Sequence, residues 1–127
     1  MDKVAYWTDI ASYDLETAEA MLATRRWLYV GFMCHQVIEK MLKAYWCRTQ
    51  PADPPYVHNL IRLAEGCGIA DVMTDEQKMF LAQMLPLNIE ARYPDYKDRL
   101  LQGLTPDVCS KIVENTKNMK SWIERML

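Results

Sequence analysis

The chain has 127 residues, with 15 Lys plus Arg against 17 Asp plus Glu, a formal net charge of −2 and a pI near 5.7. Half the residues are apolar and a quarter charged, which excludes a disordered tract, and the mild acidity argues against a strongly basic nucleic-acid module. This length suits one domain, 1–127, with a core that needs no disulfide or metal staple. Glycine is scarce (four) and methionine plentiful (nine), so long helices are favoured over a turn-rich β-sandwich.

The predicted elements are all helical. Asp2 caps a first helix whose apolar stripe is Val4, Trp7, Ala11, Leu15, Ala18 and Leu22. Thr24-Arg25-Arg26 breaks it. A second helix runs from about Trp27 to Arg48. Val30, Met33, Val37, Met41 and Ala44 form one apolar stripe, and Ile38, Leu42 and Tyr45 a second beside it, a width that places this helix centrally in a bundle. Pro51, Pro54 and Pro55 end it. Asn59 caps a short helix through Leu60, Leu63 and Ala64, closed by Gly66 and Gly68. Thr74-Asp75-Glu76-Gln77 has the capping-box pattern and opens a helix carrying Phe80, Leu81, Met84 and Leu85. Pro86 is expected to kink that helix and Pro94 to end it. Thr105-Pro106 starts the last helix, with Val108, Ile112, Met119, Trp122, Ile123 and Met126 inward. The expected fold is all-α, an up-and-down antiparallel bundle of four long helices plus one short one.

Charge is uneven along this plan. Residues 1–24 hold one base and five acids, whereas residues 25–50 hold five bases and one acid. Pairing between the first two helices is the simplest account, and it is compatible with an anion site on the second.

Cys34, Cys47, Cys67 and Cys109 form no C-x-x-C pair and sit at no zinc spacing with His35 or His58, so free thiols in a reducing compartment are expected. No metal, dinucleotide, P-loop or serine-elbow motif occurs, and no cofactor is expected. The acidic N-terminus does not read as a signal peptide, and no apolar run reaches the roughly 18 residues of a membrane span. A cytoplasmic location without membrane attachment follows as an expectation.

Two constellations carry candidate chemistry. Gln36, Glu39, Lys40 and Lys43 follow i, i+3, i+4, i+7 spacing, one face of the second helix. One reading is a solvated face with a helix-surface ion pair. The other is a polar groove in which Lys40 and Lys43 meet phosphate while Glu39 holds an Arg. The second constellation is Ala91-Arg92-Tyr93-Pro94-Asp95, where the Arg suits a bidentate anion contact and the Tyr suits stacking. His35 reads as a packed or interface histidine. His58, just before the Asn59 cap, reads as a loop anchor through a hydrogen bond.

The order of these segments resembles the HEPN domain (higher eukaryotes and prokaryotes nucleotide-binding). It is carried by Trp7…Ala11…Asp14-Leu15…Ala18, then Gln36-Val37-Ile38-Glu39-Lys40-Met41-Leu42-Lys43-Ala44, then His58-Asn59-Leu60…Leu63, then Ala91-Arg92-Tyr93-Pro94-Asp95. The resemblance implies a helical bundle that forms a homodimer, often paired with a minimal nucleotidyltransferase in toxin–antitoxin-like systems. It also implies binding of nucleotide or RNA, and in many members metal-independent RNA cleavage by an Arg followed four to six residues on by a His. Here those positions after Arg92 are Tyr96, Lys97 and Asp98, and no His follows His58. The expected function is therefore a dimeric, non-catalytic module for nucleotide, RNA or a partner protein. Its expected binding residues are Gln36, Glu39, Lys40, Lys43, His58, Arg92, Tyr93 and Asp95. A ribonuclease with a diverged site recruiting His58 or His35, and a purely structural dimerisation module, are the alternatives.

Overall fold

Helix α1 spans Lys3–Ala23 and starts where the sequence places it, with the Asp2 carboxylate accepting from the Ala5 amide at 3.1 Å. In the computed structural model, which describes residues 1–88 and 94–127 and side chains at 1–88 and 96–127, six α-helices are joined by short connections. Among the described residues there is no strand. Arg25, in the left-handed region at φ 63°, turns the chain from α1 into α2 (Trp27–Thr49). Ala11 and Ala18 are fully buried. Small side chains at this seam let the α1 backbone lie close against α2, and that pair makes the most extensive contact in the fold.

Helix α2 is central, as its double apolar stripe predicts. Val30, Val37, Ile38, Met41, Leu42 and Ala44 are buried among its neighbours. It packs on α1, on α3 (Leu60–Gly66), on α5 (Pro94–Gly103) and on α6 (Pro106–Glu124). Cys109 lies near the Trp27 carbonyl and Thr116 beside Cys34, so α6 runs parallel to α2. Lys117 pairs with Glu19 at 3.4 Å, which ties α6 to α1.

The caps are where the sequence puts them. Asn59 accepts from the Arg62 amide at 3.0 Å. Thr74 and Gln77 close a full capping box at the start of α4 (Asp75–Met84). Thr105 accepts from the Val108 amide at 3.2 Å. Gly68 takes φ 85°, the left-handed geometry that leaves α3 for a 3-10 turn at Ile69–Val72. Gly66 is small for a different reason: a Cβ there would lie 2.5 Å from the Trp46 ring.

Three expectations are revised. Only α1, α2 and α6 are long; α4 has ten residues. Pro86 does more than kink α4, because the α-helix gives way after Met84 to a 3-10 turn at Leu85–Leu87. A proline nitrogen has no proton for the helical ladder. Pro94, expected to end a helix, is instead the first residue of one. As the first residue of α5 its fixed φ suits a helix start, and its missing N–H is one that would have no partner there. The Tyr96 hydroxyl donates to the Pro86 carbonyl at 3.3 Å, which holds α5 against the 3-10 turn. All four cysteines are free thiols, with Cys34, Cys67 and Cys109 buried. Among the described residues no helix is long and apolar enough to cross a membrane.

Candidate functional site

The second helix carries a row of polar side chains one turn apart, and the fold covers most of them. Glu39 is the centre. Its side chain is only 2% exposed. Lys43 Nζ, one turn on and 8% exposed, donates to Glu39 Oε2 at 3.1 Å. From the loop before α3, His58 Nδ1 lies 3.0 Å from Glu39 Oε1 and 3.2 Å from Oε2. A hydrogen bond to a carboxylate requires the proton on Nδ1, so Glu39 selects the tautomer and aims the ring. The His58 side chain is 45% exposed and forms the open edge of the cluster.

The walls come from α1. The Lys43 ammonium sits 5.4 Å above the centre of the Trp7 ring, a cation–π contact that supplements its ion pair. Lys40 Nζ donates to Gln36 Oε1 at 2.6 Å and lies 4.0 Å from Asp14 Oδ2. Burial raises the Asp14 pKa, while Lys40 pulls it back down. His35 is fully buried beneath the cluster. Its Nδ1 is 3.8 Å from Glu39 Oε1, too far for a hydrogen bond, and neither ring nitrogen has a hydrogen-bond partner among the described residues. Burial drives its pKa down to about 4, against the attraction of Glu39, so the ring is neutral at physiological pH.

The structure brings together Gln36, Glu39, Lys40 and Lys43, as their spacing predicts, and adds His58 from the loop before α3. Arg92 and Tyr93 lie outside the described residues, as does the side chain of Asp95. Two readings of the face are corrected. It is not a solvated stripe, because Trp7, Asp14 and His58 close over it. Nor do Lys40 and Lys43 stand as spare cations in a groove, since each has a partner of its own. Glu39 holds a lysine and a histidine. His58 anchors its loop by the hydrogen bond expected of it. Asp14 and Trp7 are the partners that helix spacing alone does not reveal, although the opposite charges of the first two helices point to Asp14.

A family model described as HEPN domain matches residues 4–126. The chain belongs to the HEPN domain family. The match takes in α1 from its second residue through the whole of α6, including the whole Glu39 cluster and the Arg92 segment. No characterised relative and no solved structure gives a significant match. Among the described residues no group of three or more His, Cys, Asp or Glu is placed to hold a metal ion.

Proposed function

We propose that this HEPN domain is a dimeric, non-catalytic binding module. The recognition surface is the open edge of its preassembled Glu39 cluster, at His58, and the partner is a protein of the minimal nucleotidyltransferase type or nucleotide or RNA. The observation that carries the reading is the charge compensation of the α2 face. Lys43 is matched by Glu39, and Lys40 by Gln36 and Asp14, each at low exposure. A network satisfied in this way holds its shape without ligand and presents little net charge. That favours a protein partner, because a phosphate would have to compete with Glu39 and Asp14 for the two cations. The sequence supports the non-catalytic half of the proposal, since the positions four to six residues after Arg92 hold Tyr96, Lys97 and Asp98.

Two measurements test it together. Light scattering on the purified chain is expected to give twice the mass of one chain. Titration with a minimal nucleotidyltransferase is expected to give saturable heat that Lys40→Ala reduces. A monomer with no heat toward that protein, nucleotides or RNA would refute the proposal.

One observation favours a second reading, a ribonuclease with a diverged site. The Glu39 carboxylate orients the His58 ring as a buried acid orients a general-base imidazole. On that reading His58→Ala and Glu39→Gln both abolish chelator-resistant RNA cleavage. Cleavage that survives both substitutions excludes it.

A further inference from the structure

Helices α4 and α6 pack chiefly on other neighbours, α4 on α3 and the 3-10 turn that follows it, α6 on α2 and α1. A cleft of about 570 Å³ is left between them. Its α6 wall is a single stripe, Lys111, Asn115, Asn118, Trp122 and Arg125, at i, i+4, i+7, i+11 and i+14. At about 1.5 Å per residue that stripe is about 21 Å long, so the cleft is a trough rather than a pit. Glu76 and Gln77 of α4 stand on the facing wall, and the buried Phe80 and Met119 side chains close the bottom.

The polar groups of this trough are left unused by the fold. Among the described residues no hydrogen bond or ion pair engages the side chains of Asn115, Asn118, Trp122 or Arg125. Gln77 gives its carbonyl oxygen to the Thr74 amide at 2.9 Å and keeps its amide nitrogen as a donor. Asparagine is a poor helix former, because its carboxamide competes with the backbone for hydrogen bonds. Two within four residues in the middle of α6 are a local cost that nothing inside the described chain offsets. A carboxamide donates and accepts at once, which matches a peptide group, whereas a phosphate only accepts.

We propose that this trough binds an extended peptide segment of a partner protein, with Asn115 and Asn118 on its backbone, an acidic side chain at each cationic end and an apolar side chain on Trp122. The register follows from the geometry. An extended chain rises about 3.3 Å per residue, so about 21 Å spans roughly six residues and the two acids stand six positions apart. Trp122 lies three residues, about 4.5 Å, before Arg125, so it takes the residue next to the acid at that end. Charge favours this occupant over RNA. Glu76 faces the stripe and Glu114 lies 3.8 Å from Lys111, so Arg125 is the one cation of the trough without an acidic partner among the described residues. A nucleic-acid strand would bring a regular row of phosphates past these acids, whereas a peptide carries its two acids to the cationic ends. The proposal uses no residue of the Glu39 cluster and stands independently of the function proposed above.

Fluorescence anisotropy tests this with the full chain and a synthetic heptapeptide, Asp-Thr-Ser-Thr-Ser-Leu-Asp, blocked at both ends and carrying an uncharged dye. Saturable binding is expected. Arg125→Ala should weaken it about tenfold, the loss of one charge-assisted contact. Lys111→Ala should weaken it less, about threefold, because that ammonium already has Glu114 nearby. The double variant Asn115→Ala with Asn118→Ala should also weaken binding about tenfold while its melting temperature holds or rises, since alanine is the better helix former. A merely structural role for the two asparagines would lower the melting temperature instead. No saturation with the chain at up to about 1 mM overturns the proposal. So does equal binding of a peptide with Asn in place of both Asp, or with the acids only three positions apart. A single-stranded RNA 12-mer that displaces the peptide in an Arg125-dependent way assigns the trough to nucleic acid and overturns the peptide as its occupant.

Discussion

Glu39→Ala is the sharpest perturbation of the site. The substitution removes the acidic partner of Lys43, whose side chain is 8% exposed, and leaves the ammonium buried over the Trp7 ring. Removing one member of a buried ion pair costs about 3–5 kcal/mol, because the remaining charge is desolvated without compensation. A domain of this length has a total stability of roughly 6–19 kcal/mol, so the variant is expected to fold but to be visibly weakened. With a urea slope of about 2 kcal/mol/M, the midpoint should fall by ~2 M. The companion variant Glu39→Leu with Lys43→Met separates charge burial from packing. It deletes both charges at similar volume, and most of the loss is expected to be recovered. Urea melts followed by circular dichroism at 222 nm report both numbers. A Glu39→Ala shift below about 1 kcal/mol, the range of solvent-exposed pairs, would show that the cluster is not buried as described. Failure of the double variant to recover would show that packing rather than charge dominates.

Three further outcomes follow from other parts of the fold. His35 is buried with its pKa lowered to about 4 against 6.5 for the free side chain, so the unfolded chain takes up a proton first as pH falls. Its contribution to stability is intact above pH 6.5 and declines by about 3 kcal/mol as pH drops to 4. Asp14, with its pKa raised by burial, offsets part of that loss at the acid end. Urea melts at pH 7.5 and 5 should show the drop, and His35→Leu should flatten it. Gly66→Ala drives a methyl group to 2.5 Å from the Trp46 ring, and a loss of about 1–3 kcal/mol is expected in the same assay. Thr74→Ala removes the hydroxyl that accepts from the Gln77 amide and should cost about 1 kcal/mol, whereas Thr74→Ser should cost little.

Much of this arrangement is legible in the chain. The caps at Asp2, Asn59, Thr74 and Thr105 are local hydrogen bonds between residues three apart, so their sequence signals need no tertiary information. The doubled apolar stripe on α2 reports its central place directly, because only a helix covered on several sides can carry one. Helix α5 is missed for a physical reason. Its apolar repeat is short, Tyr96, Leu100 and Leu104 at i, i+4 and i+8, and it follows a proline that reads as a helix stop. The site is half legible. Spacing along α2 aligns Gln36, Glu39, Lys40 and Lys43, but their burial depends on Trp7, some thirty residues earlier, and on His58, 19 residues after Glu39. Periodicity within one helix carries no information about such distant covers. Opposite net charges on the first two helices do foreshadow the Lys40–Asp14 contact.

The most direct test of the central claim is incubation of the purified wild-type chain with single-stranded RNA in the presence of a chelator. Intact RNA is expected, with Arg92→Ala and His58→Ala indistinguishable from wild type. RNA cleaved by the wild type and spared by both variants would contradict it, and would show that the Glu39-held imidazole of His58 has taken over the catalytic role.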